Sequence, residues 1–421
     1  MNYADSERID FVLQKNGYQK TLVEREAETI IVVACSVRQH AVDRIYGKVK
    51  EWRLRDNLVT VLTGCLLPMD KKKATTLFDL LLDIKEINQL PNLIKEIKEA
   101  KKSRAKISPP DIGKIDYLSL DQKRESSFRA YVPISTGCDN FCSYCAVPYT
   151  RGREKSRHRL DIVAEVKSLV TNGYKEIILL GQNVNSYGQD LTDNKKETCE
   201  FINLIKEIDK IPGNYRVYFY SNHPKDMTAE LVNALAGLKH FPHYLHLPLQ
   251  SGSDRIIKAM NRHYTQNKYL SLVKKIRGAM PDVALTTDII VGFPGETESD
   301  FAETAKVMEK VSFDMAFIAQ YSPRPGTKAE KLLDDISAEE KVRREKILQE
   351  ILKKSADKKN QQYIGQTLTV LIDGAKKDKL YGRTADYKVV EIKKSPRINI
   401  GDFIDVKIES ATAWKLLGFF V

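Results

Sequence analysis

Three of the six cysteines of this chain, Cys138, Cys142 and Cys145, lie within eight residues in the pattern C-x3-C-x2-C. Thiols this close in sequence favour a metal site over disulfides. Structural zinc usually takes four Cys or His ligands, and no fourth cysteine lies nearby. Three thiolates on a four-iron cube leave one iron open to a small molecule. The spacing therefore favours an iron–sulfur cluster with an open iron, and a zinc site completed by a distant histidine is the alternative.

The cysteine loop follows a predicted strand at residues 130–135. Gly137 allows the backbone to turn after that strand. Tyr144 precedes the last cysteine of the group, and we expect it to offer an aromatic face beside the cluster. A strand followed by a loop of ligands is typical of the carboxyl-terminal edge of a parallel sheet, where α/β proteins place their sites.

Four arginines follow the cysteine loop within nine residues: Arg151, Arg153, Arg157 and Arg159. The whole chain of 421 residues has a net charge of +12 and a pI near 9.1. Cations placed on phosphates release counterions, so this charge favours a polyanionic partner. We predict a basic rim for RNA phosphates, and a solvated charged surface is the alternative for any single arginine.

The first hundred residues alternate helical and extended patterns. Residues 4–16 predict a helix, residues 29–33 predict a buried strand that ends at Cys35, and residues 58–62 predict a second strand directly before Gly64-Cys65. A helix through about Trp52 separates the two strands, so the sheet is predicted to be parallel. Both cysteines then lie at carboxyl ends of strands.

The rest of the chain divides into a repeated β/α region and a short β-rich region. Residues 338–361 predict a charged helix, and the later strands predict a small β-barrel of the kind that binds oligonucleotides. The earlier strands predict a partial (β/α)6 barrel with its chemistry at the carboxyl ends of the strands. The predicted strands are 130–135, 176–180, 215–220, 243–247, 284–290 and 314–320, then 368–372, 389–392, 403–406 and 414–418.

The predicted fold class is therefore α/β, with three domains. They are an N-terminal parallel-sheet domain at 1–105, the barrel at 128–355 and the small β-barrel at 356–421, with a linker at 106–127. The linker follows from a basic stretch and Ser108-Pro109-Pro110.

Several stretches resemble a known family. Residues 135–145 are similar to the radical S-adenosylmethionine (SAM) signature C-x3-C-x-aromatic-C, and residues 132–157 and 180–187 resemble its methylthiotransferase form. Residues 223–226, 246–253 and 290–297 resemble the MiaB-type branch, and the C-terminal strands resemble a TRAM domain. The resemblance covers nearly the whole chain.

The resemblance implies a 4Fe-4S cluster on Cys138, Cys142 and Cys145 that binds SAM at its open iron. It also implies a second iron–sulfur cluster, for which Cys35 and Cys65 match two of the family's three ligands. The third belongs in a Gly-Cys-Gln-Met-Asn-like run, and this chain opens with Met1-Asn2, so we expect its first strand and first cysteine to be missing. The alternative for Cys35 and Cys65 is a pair of small buried thiols.

The implied reaction is methylthiolation of N6-isopentenyladenosine beside the anticodon of tRNA. Carbon 2 of adenine carries a strong, non-acidic C–H bond, for which a radical is the suitable reagent. Within the family, threonylcarbamoyladenosine in tRNA and an aspartate of a ribosomal protein are alternative substrates. A zinc-dependent RNA-binding protein without catalysis is the alternative of another class.

Further residues at predicted strand ends are candidates for contacts to SAM: Tyr144, Gly181, Gln182, Gln250 and Gly292. For the two glycines an ordinary β–α turn is an equal interpretation. His223 and His246 are more typical of satisfied hydrogen-bonding residues, and Cys199 matches no motif and is interpreted as an incidental thiol.

The expected partners are the tRNA anticodon loop and an electron donor such as a flavodoxin or ferredoxin. The polar N-terminus has no secretory apolar stretch, and no apolar run is long enough to span a membrane. We therefore expect a cytoplasmic protein that does not bind a membrane. As a separate expectation, the chain is a monomer.

Overall fold

The computed structural model describes residues 1–35, 39–67, 72, 74–103, 117–191 and 200–421. The α-helices in these ranges are α1 Asn2–Lys15, α2 Gln39–Trp52, α3 Leu90–Ser103, α4 Val147–Thr150, α5 Arg159–Thr171, α6 Glu200–Asp209, α7 Ala229–Ala236, α8 Asp254–Ala259, α9 Gln266–Ala279, α10 Glu298–Val311 and α11 Ala338–Gln361. The strands are β1 Thr29–Cys35, β2 Val59–Cys65, β3 Leu80–Leu81, β4 Arg129–Pro133, β5 Ser135–Thr136, β6 Lys155–Ser156, β7 Glu176–Leu180, β8 Arg216–Phe219, β9 Tyr244–His246, β10 Ala284–Val291, β11 Met315–Gln320, β12 Thr367–Lys376, β13 Lys379–Arg383, β14 Val389–Lys393, β15 Phe403–Ala411 and β16 Leu416–Phe420.

The N-terminal unit contains a parallel sheet in the order β1-β2-β3; the sequence predicts the parallel pair β1 and β2 and misses the two-residue β3. Val59 and Val61 of β2 are fully buried, which fits a parallel strand covered on both faces. The register pairs Cys35 with Cys65 at the carboxyl ends of β1 and β2. The predicted linker at 106–127 lies outside the described residues as far as residue 116.

The central unit has the six predicted parallel strands in chain order. They form two three-stranded sheets, β4-β7-β8 and β9-β10-β11. Asn222, just after β8, donates from Nδ2 to the carbonyl oxygen of His246 at the end of β9 (2.9 Å), which joins the two sheets. The main apolar core lies between these strands and the helices around them. The last strand, β11, is the edge strand of its sheet among the described residues, and Phe317 on it is 49% exposed.

The C-terminal unit is a closed barrel in the order β12-β13-β14-β16-β15. The sequence predicts four of its strands and misses β13, because the segment Lys379–Arg383 has few apolar residues and begins and ends with charged ones. The last strand begins at Leu416 rather than at the predicted residue 414. Helix α11 has the predicted bounds and runs across the predicted domain boundary at residue 356.

The C-terminal barrel packs under the amino ends of the central strands. Arg129 at the start of β4 bonds Asp373 (3.1 Å), and Asp314, directly before β11, bonds Lys388 (2.7 Å). The ring of Tyr387 lies 4.9 Å from that of Tyr218 in β8, measured between centroids. This docking leaves the carboxyl ends of the strands open, where barrel enzymes carry out their chemistry.

No helix in the described part of the chain is long and apolar enough to cross a membrane.

Candidate active site

The three clustered cysteines leave the barrel in one loop after β5. Gly137 begins this loop with φ +80°, and a Cβ on it would lie 2.1 Å from the carbonyl oxygen of Arg153. The N–H of Cys138 donates to the carbonyl oxygen of Gly152 at 3.2 Å. Only glycine fits this close approach of two backbones, so the residue before the first cysteine is set by packing.

A second anchor ties the loop to the segment after α8. The N–H of Ser143 donates to the carbonyl oxygen of Met260 at 3.0 Å, and Asn261 donates from Nδ2 to the carbonyl oxygen of Phe141 at 2.9 Å. The loop is therefore held from both sides before any ligand binds. Such preorganisation is what a cluster needs from its ligands.

Burial sets the chemistry of the three thiols. Cys138 is 8% exposed, and Cys142 and Cys145 are partly buried. Loss of water raises the pKa of the Cys138 thiol and raises that of Cys145 to about 12. Thiols in such a setting become thiolates when a positively charged metal group replaces the lost solvation. Three soft donors in one desolvated loop fit an iron–sulfur cluster.

Within the described residues, no three His, Cys, Asp or Glu side chains are grouped so that they could hold a single metal ion. A four-iron cluster places its thiolates around a cube of iron and sulfide, so its ligands stand farther apart than those of one ion. The fit of Cys138, Cys142 and Cys145 to a cluster therefore rests on their shared loop and their chemistry.

A cavity of about 1310 Å³ opens beside Tyr144 and Cys145. It runs along β10 and β11 to α11, and its wall includes Gln250, Phe317 and, from the C-terminal barrel, Trp414. Gln250 has φ +65° and donates its N–H to the carbonyl oxygen of Asp288 at 2.8 Å. Of the five residues predicted to contact SAM, Tyr144 and Gln250 line this cavity.

The other three predicted SAM contacts are placed differently. Gly181 follows β7, and a Cβ there would lie 2.7 Å from Ser135 Oγ. Gln182 has a buried Oε1 that accepts no hydrogen bond from the part of the chain that the structure describes. Gly292 faces the side chain of Lys341, which would lie 2.3 Å from an added Cβ. Gly292 belongs to a turn packed on Lys341 of α11, which lines the cavity, whereas Gly292 itself does not line it.

Buried polar groups that have no hydrogen-bond partner within the described ranges cluster at the ends of β7 and β8. They include Asn183 Oδ1, Asn222 Oδ1 and His223 Nε2. Burial lowers the pKa of His223 to about 2, so its imidazole is neutral at physiological pH. Unsatisfied buried donors and acceptors are costly, so this cluster suits a polar ligand. His246, by contrast, is satisfied as predicted, with Thr286 Oγ1 at 2.9 Å from its Nδ1.

Glu154 is a site residue that the sequence reasoning did not single out. Burial raises its pKa to about 7, and its Oε1 accepts a hydrogen bond from Ser186 Oγ at 2.6 Å. A carboxyl group whose pKa lies near neutrality is typical of a functional site. The available signal in the sequence was a single carboxylate among the arginines that follow the cysteine loop.

The structure corrects the predicted arginine rim. Arg157 is partly buried and bonds Glu165 (2.7 Å), and Arg159 bonds Glu200 (2.8 Å). The side chain of Arg153 is 73% exposed and pairs with Asp139 (3.0 Å). Each of the four guanidinium groups pairs with a carboxylate, so these residues do not form one open rim.

Arg151 is the clearest departure from that prediction. It is 4% exposed, and its Nη2 lies 2.7 Å from Asp5 Oδ2 in α1. Its Nε donates to Cys65 Sγ at 2.9 Å, and its Nη1 donates to the hydroxyl oxygen of Tyr117 at 3.2 Å. Arg151 therefore joins the cysteine loop of the barrel to the N-terminal unit. Cys199 lies outside the described residues.

Three family models match the chain. They are described as the Radical SAM superfamily (residues 132–308), the uncharacterized protein family UPF0004 (residues 1–82) and the TRAM domain (residues 361–421). The Clostridium botulinum (strain Langeland) protein named tRNA-2-methylthio-N(6)-dimethylallyladenosine synthase is 41% identical over 430 residues, which covers 99% of this chain and 94% of the relative. The protein of that name from Caldicellulosiruptor saccharolyticus is 41% identical, with 99% and 90% covered.

Solved structures share the fold at low identity. The radical SAM methyltransferase TsrM from Kitasatospora setae matches with a TM-score of 0.54 and 15% identity, covering 75% of this chain and 69% of that one. The cobalamin-dependent radical SAM enzyme OxsB matches with a TM-score of 0.53 and 12% identity, covering 82% and 53%. These matches confirm the predicted α/β radical SAM fold.

Proposed function

Because the chain belongs to the family of tRNA-2-methylthio-N(6)-dimethylallyladenosine synthases, which are radical SAM enzymes, we propose that it transfers a methylthio group to carbon 2 of N6-dimethylallyladenosine (isopentenyladenosine) in tRNA. The observation that carries this proposal is the cavity beside Cys145. One continuous wall includes the cysteine loop and Trp414 of the matched TRAM region. The cavity thus joins the radical chemistry to the module expected to hold RNA.

We assign the 4Fe-4S cluster that binds SAM to Cys138, Cys142 and Cys145. When bound, the cluster supplies one electron that cleaves SAM and so provides a radical able to attack a C–H bond. Around this position, Tyr144 and Gln250 form the near wall of the cavity. The polar groups at the ends of β7 and β8 supply donors and acceptors for the charged end of SAM, and neutral His223 is among them.

A base that reacts at carbon 2 must leave the stack of the RNA loop, as bases do in other enzymes that modify them. Phe317 and Trp414 are each 49% exposed and line the same cavity. Exposed aromatic rings suit stacking by a flipped adenine, and the apolar side chain of Met315 next to Phe317 suits the dimethylallyl group. These contacts favour the prenylated base over the threonylcarbamoyl alternative, whose substituent is charged.

Family members carry a second cluster, and we assign Cys35 and Cys65 to it. The register of β1 and β2 places the two residues side by side. Arg151 bonds Cys65 and extends from the loop of the first cluster, so the two assigned sites share a wall. An electron donor of the flavodoxin or ferredoxin class, a cytoplasmic location and a monomeric state remain predictions.

The test is nucleoside mass spectrometry after anaerobic reconstitution with iron and sulfide. The chain is incubated with SAM, a reductant and tRNA that carries dimethylallyladenosine without the methylthio group. We expect the 2-methylthio nucleoside from the parent chain and none from a Cys138→Ala/Cys142→Ala/Cys145→Ala variant. A loaded parent chain that modifies threonylcarbamoyladenosine but not the prenylated base would refute the substrate assignment. Zinc without labile sulfide would refute the chemistry itself.

A further inference from the structure

A buried guanidinium lies against the cysteine loop and has no carboxylate partner among the described residues. Arg262 is 6% exposed and donates from Nη1 to the hydroxyl oxygen of Tyr144 at 3.1 Å. The same Nη1 lies 3.7 Å from Cys142 Sγ. The other nitrogens donate to the hydroxyl oxygen of Tyr264 (2.9 Å) and to the carbonyl oxygen of Pro248 (3.1 Å). Each of its three nitrogens has a partner, so the position of the group is fixed.

The charge of Arg262 is not balanced by any of these partners. No carboxylate oxygen in the described part of the chain lies within 4.0 Å of its nitrogens, whereas Arg344, equally buried, bonds Glu296 at 2.7 Å. Asp226 interacts electrostatically with Arg262 from a greater distance, but its Oδ2 accepts a hydrogen bond from Asn183 at 2.7 Å. A buried cation without an anion is strongly unfavourable. Cys142 is the one contact of Arg262 that becomes an anion when it binds iron.

We propose that Arg262 is the counter-cation of the cluster on Cys138, Cys142 and Cys145, and that it sets the reduction potential of this cluster. The proposal rests on the cluster assignment above. A cluster held by three thiolates brings negative charge into the loop, and the guanidinium is already fixed beside one of them. Hydrogen bonds to cluster sulfurs and nearby charges are established controls of potential. Arg262 is thus a positioning residue that also orients Tyr144 at the mouth of the cavity.

The first experiment separates charge from shape. Arg262→Gln removes the charge and keeps hydrogen bonding, and Arg262→Lys keeps the charge and loses the planar fork. The matched control is Arg277→Gln, because Arg277 in α9 also lacks a carboxylate within 4.0 Å in the described residues and donates to the carbonyl oxygens of Val311 and Ser312. All variants are made in a Cys35→Ala/Cys65→Ala chain, which serves as the parent, so that only the cluster on Cys138, Cys142 and Cys145 is titrated.

The readout is the midpoint potential of the reconstituted cluster, followed by electron paramagnetic resonance. We expect a shift to more negative potential in Arg262→Gln, a potential close to the parent in Arg262→Lys, and no shift in Arg277→Gln. Unchanged potentials in all three loaded variants overturn the proposal. A parent chain that binds no cluster refutes the cluster assignment instead, and this outcome is distinct from the first.

A second measurement applies even if Arg262→Gln loads little cluster. Without iron, the unbalanced cation destabilises the fold, so the variant is expected to melt at the same temperature as the parent or higher. Loading is expected to raise the melting temperature of the parent by more than that of the variant, because only the parent gains the ion pair. A variant that melts lower than the parent to the same extent with and without iron shows a packing role and overturns the proposal.

Discussion

Gly137→Ala is expected to damage the cluster site while leaving most of the fold intact. Gly137 has φ +80°, and an added Cβ would lie 2.1 Å from the carbonyl oxygen of Arg153 and 2.6 Å from that of Gly152. Both obstacles are backbone atoms, so no side-chain rotation relieves them. Gly152 itself offers a matched control, since it has φ +81° but a Cβ added to it would meet no atom within 4 Å.

The two substitutions separate backbone strain from the clash. Each places alanine in the left-handed region, which costs roughly 1–2 kcal/mol. In Gly137→Ala alone, the added Cβ must also shift by about 1 Å before its distance to the carbonyl oxygen of Arg153 reaches an ordinary carbon–oxygen contact of about 3.3 Å. Metal ligands tolerate errors of about 0.2 Å, so a shift of this size at the residue before Cys138 misplaces a ligand. We expect Gly137→Ala to hold less than about half the iron of the parent, and Gly152→Ala to load almost fully.

The assay is iron and acid-labile sulfide per chain after anaerobic reconstitution, with thermal unfolding of the metal-free proteins in parallel. Similar melting temperatures but different iron contents are the expected pattern. Equal iron in the two variants would show that the loop moves freely away from Arg153. The argument that the loop is held in place before the cluster binds would then be wrong.

Three further outcomes follow from buried contacts and from the cavity. Asp5→Asn and Arg151→Met should each lower the unfolding free energy by about 3–5 kcal/mol, measured by urea titration, because each leaves a buried charge without its partner. The double variant should lose less than the sum of the two, because it leaves no unpaired charge. Burial opposes ionisation of Asp314, but Lys388 and a second lysine outweigh this effect and hold the pKa of Asp314 below its ordinary value. The stability that this carboxylate contributes is therefore present above about pH 4 and is lost as the pH falls through its folded pKa. The difference in unfolding free energy between the parent and Asp314→Asn should shrink over that window, and a constant difference would contradict the assignment. Phe317→Ala should weaken binding of prenylated tRNA by roughly 10- to 100-fold in filter or gel assays, since stacking is worth about 1–3 kcal/mol per base, and unchanged binding would exclude Phe317 from the base site.

The sequence predicted the parts of the site whose position depends on residues close together in the chain. A run of β-branched residues ends at Cys35, and the strand before Cys138 carries its loop to the open edge of the barrel, so the ends of strands indicated the candidate ligands. The sequence failed where a side chain depends on partners far along the chain. Arg151 looked exposed because its partner Asp5 is 146 residues away, and Arg262 showed no signal because only the fold brings it to Cys142.

The docking of the C-terminal barrel bears on how its role can be tested. It packs under the amino ends of the strands, with Lys388 on buried Asp314 and the ring of Tyr387 against Tyr218 and, at 5.1 Å, Tyr244. A chain that stops after Gln361 would expose these aromatic rings and leave Asp314 with Lys359 as its remaining lysine partner. We therefore expect the truncated chain to melt well below the parent or to aggregate, and loss of activity in it would say nothing about RNA.

The substitution that tests whether the C-terminal barrel contacts RNA is Trp414→Ala, because the side chain of Trp414 is half-exposed on the cavity wall. It should weaken tRNA binding while leaving the melting temperature and the iron content close to those of the parent. If the truncated chain proves as stable as the parent, the contacts at the amino ends of the strands contribute little, and the two units fold independently. If Trp414→Ala binds tRNA as the parent does, the RNA enters the cavity from the side of the cysteine loop without contacting this residue.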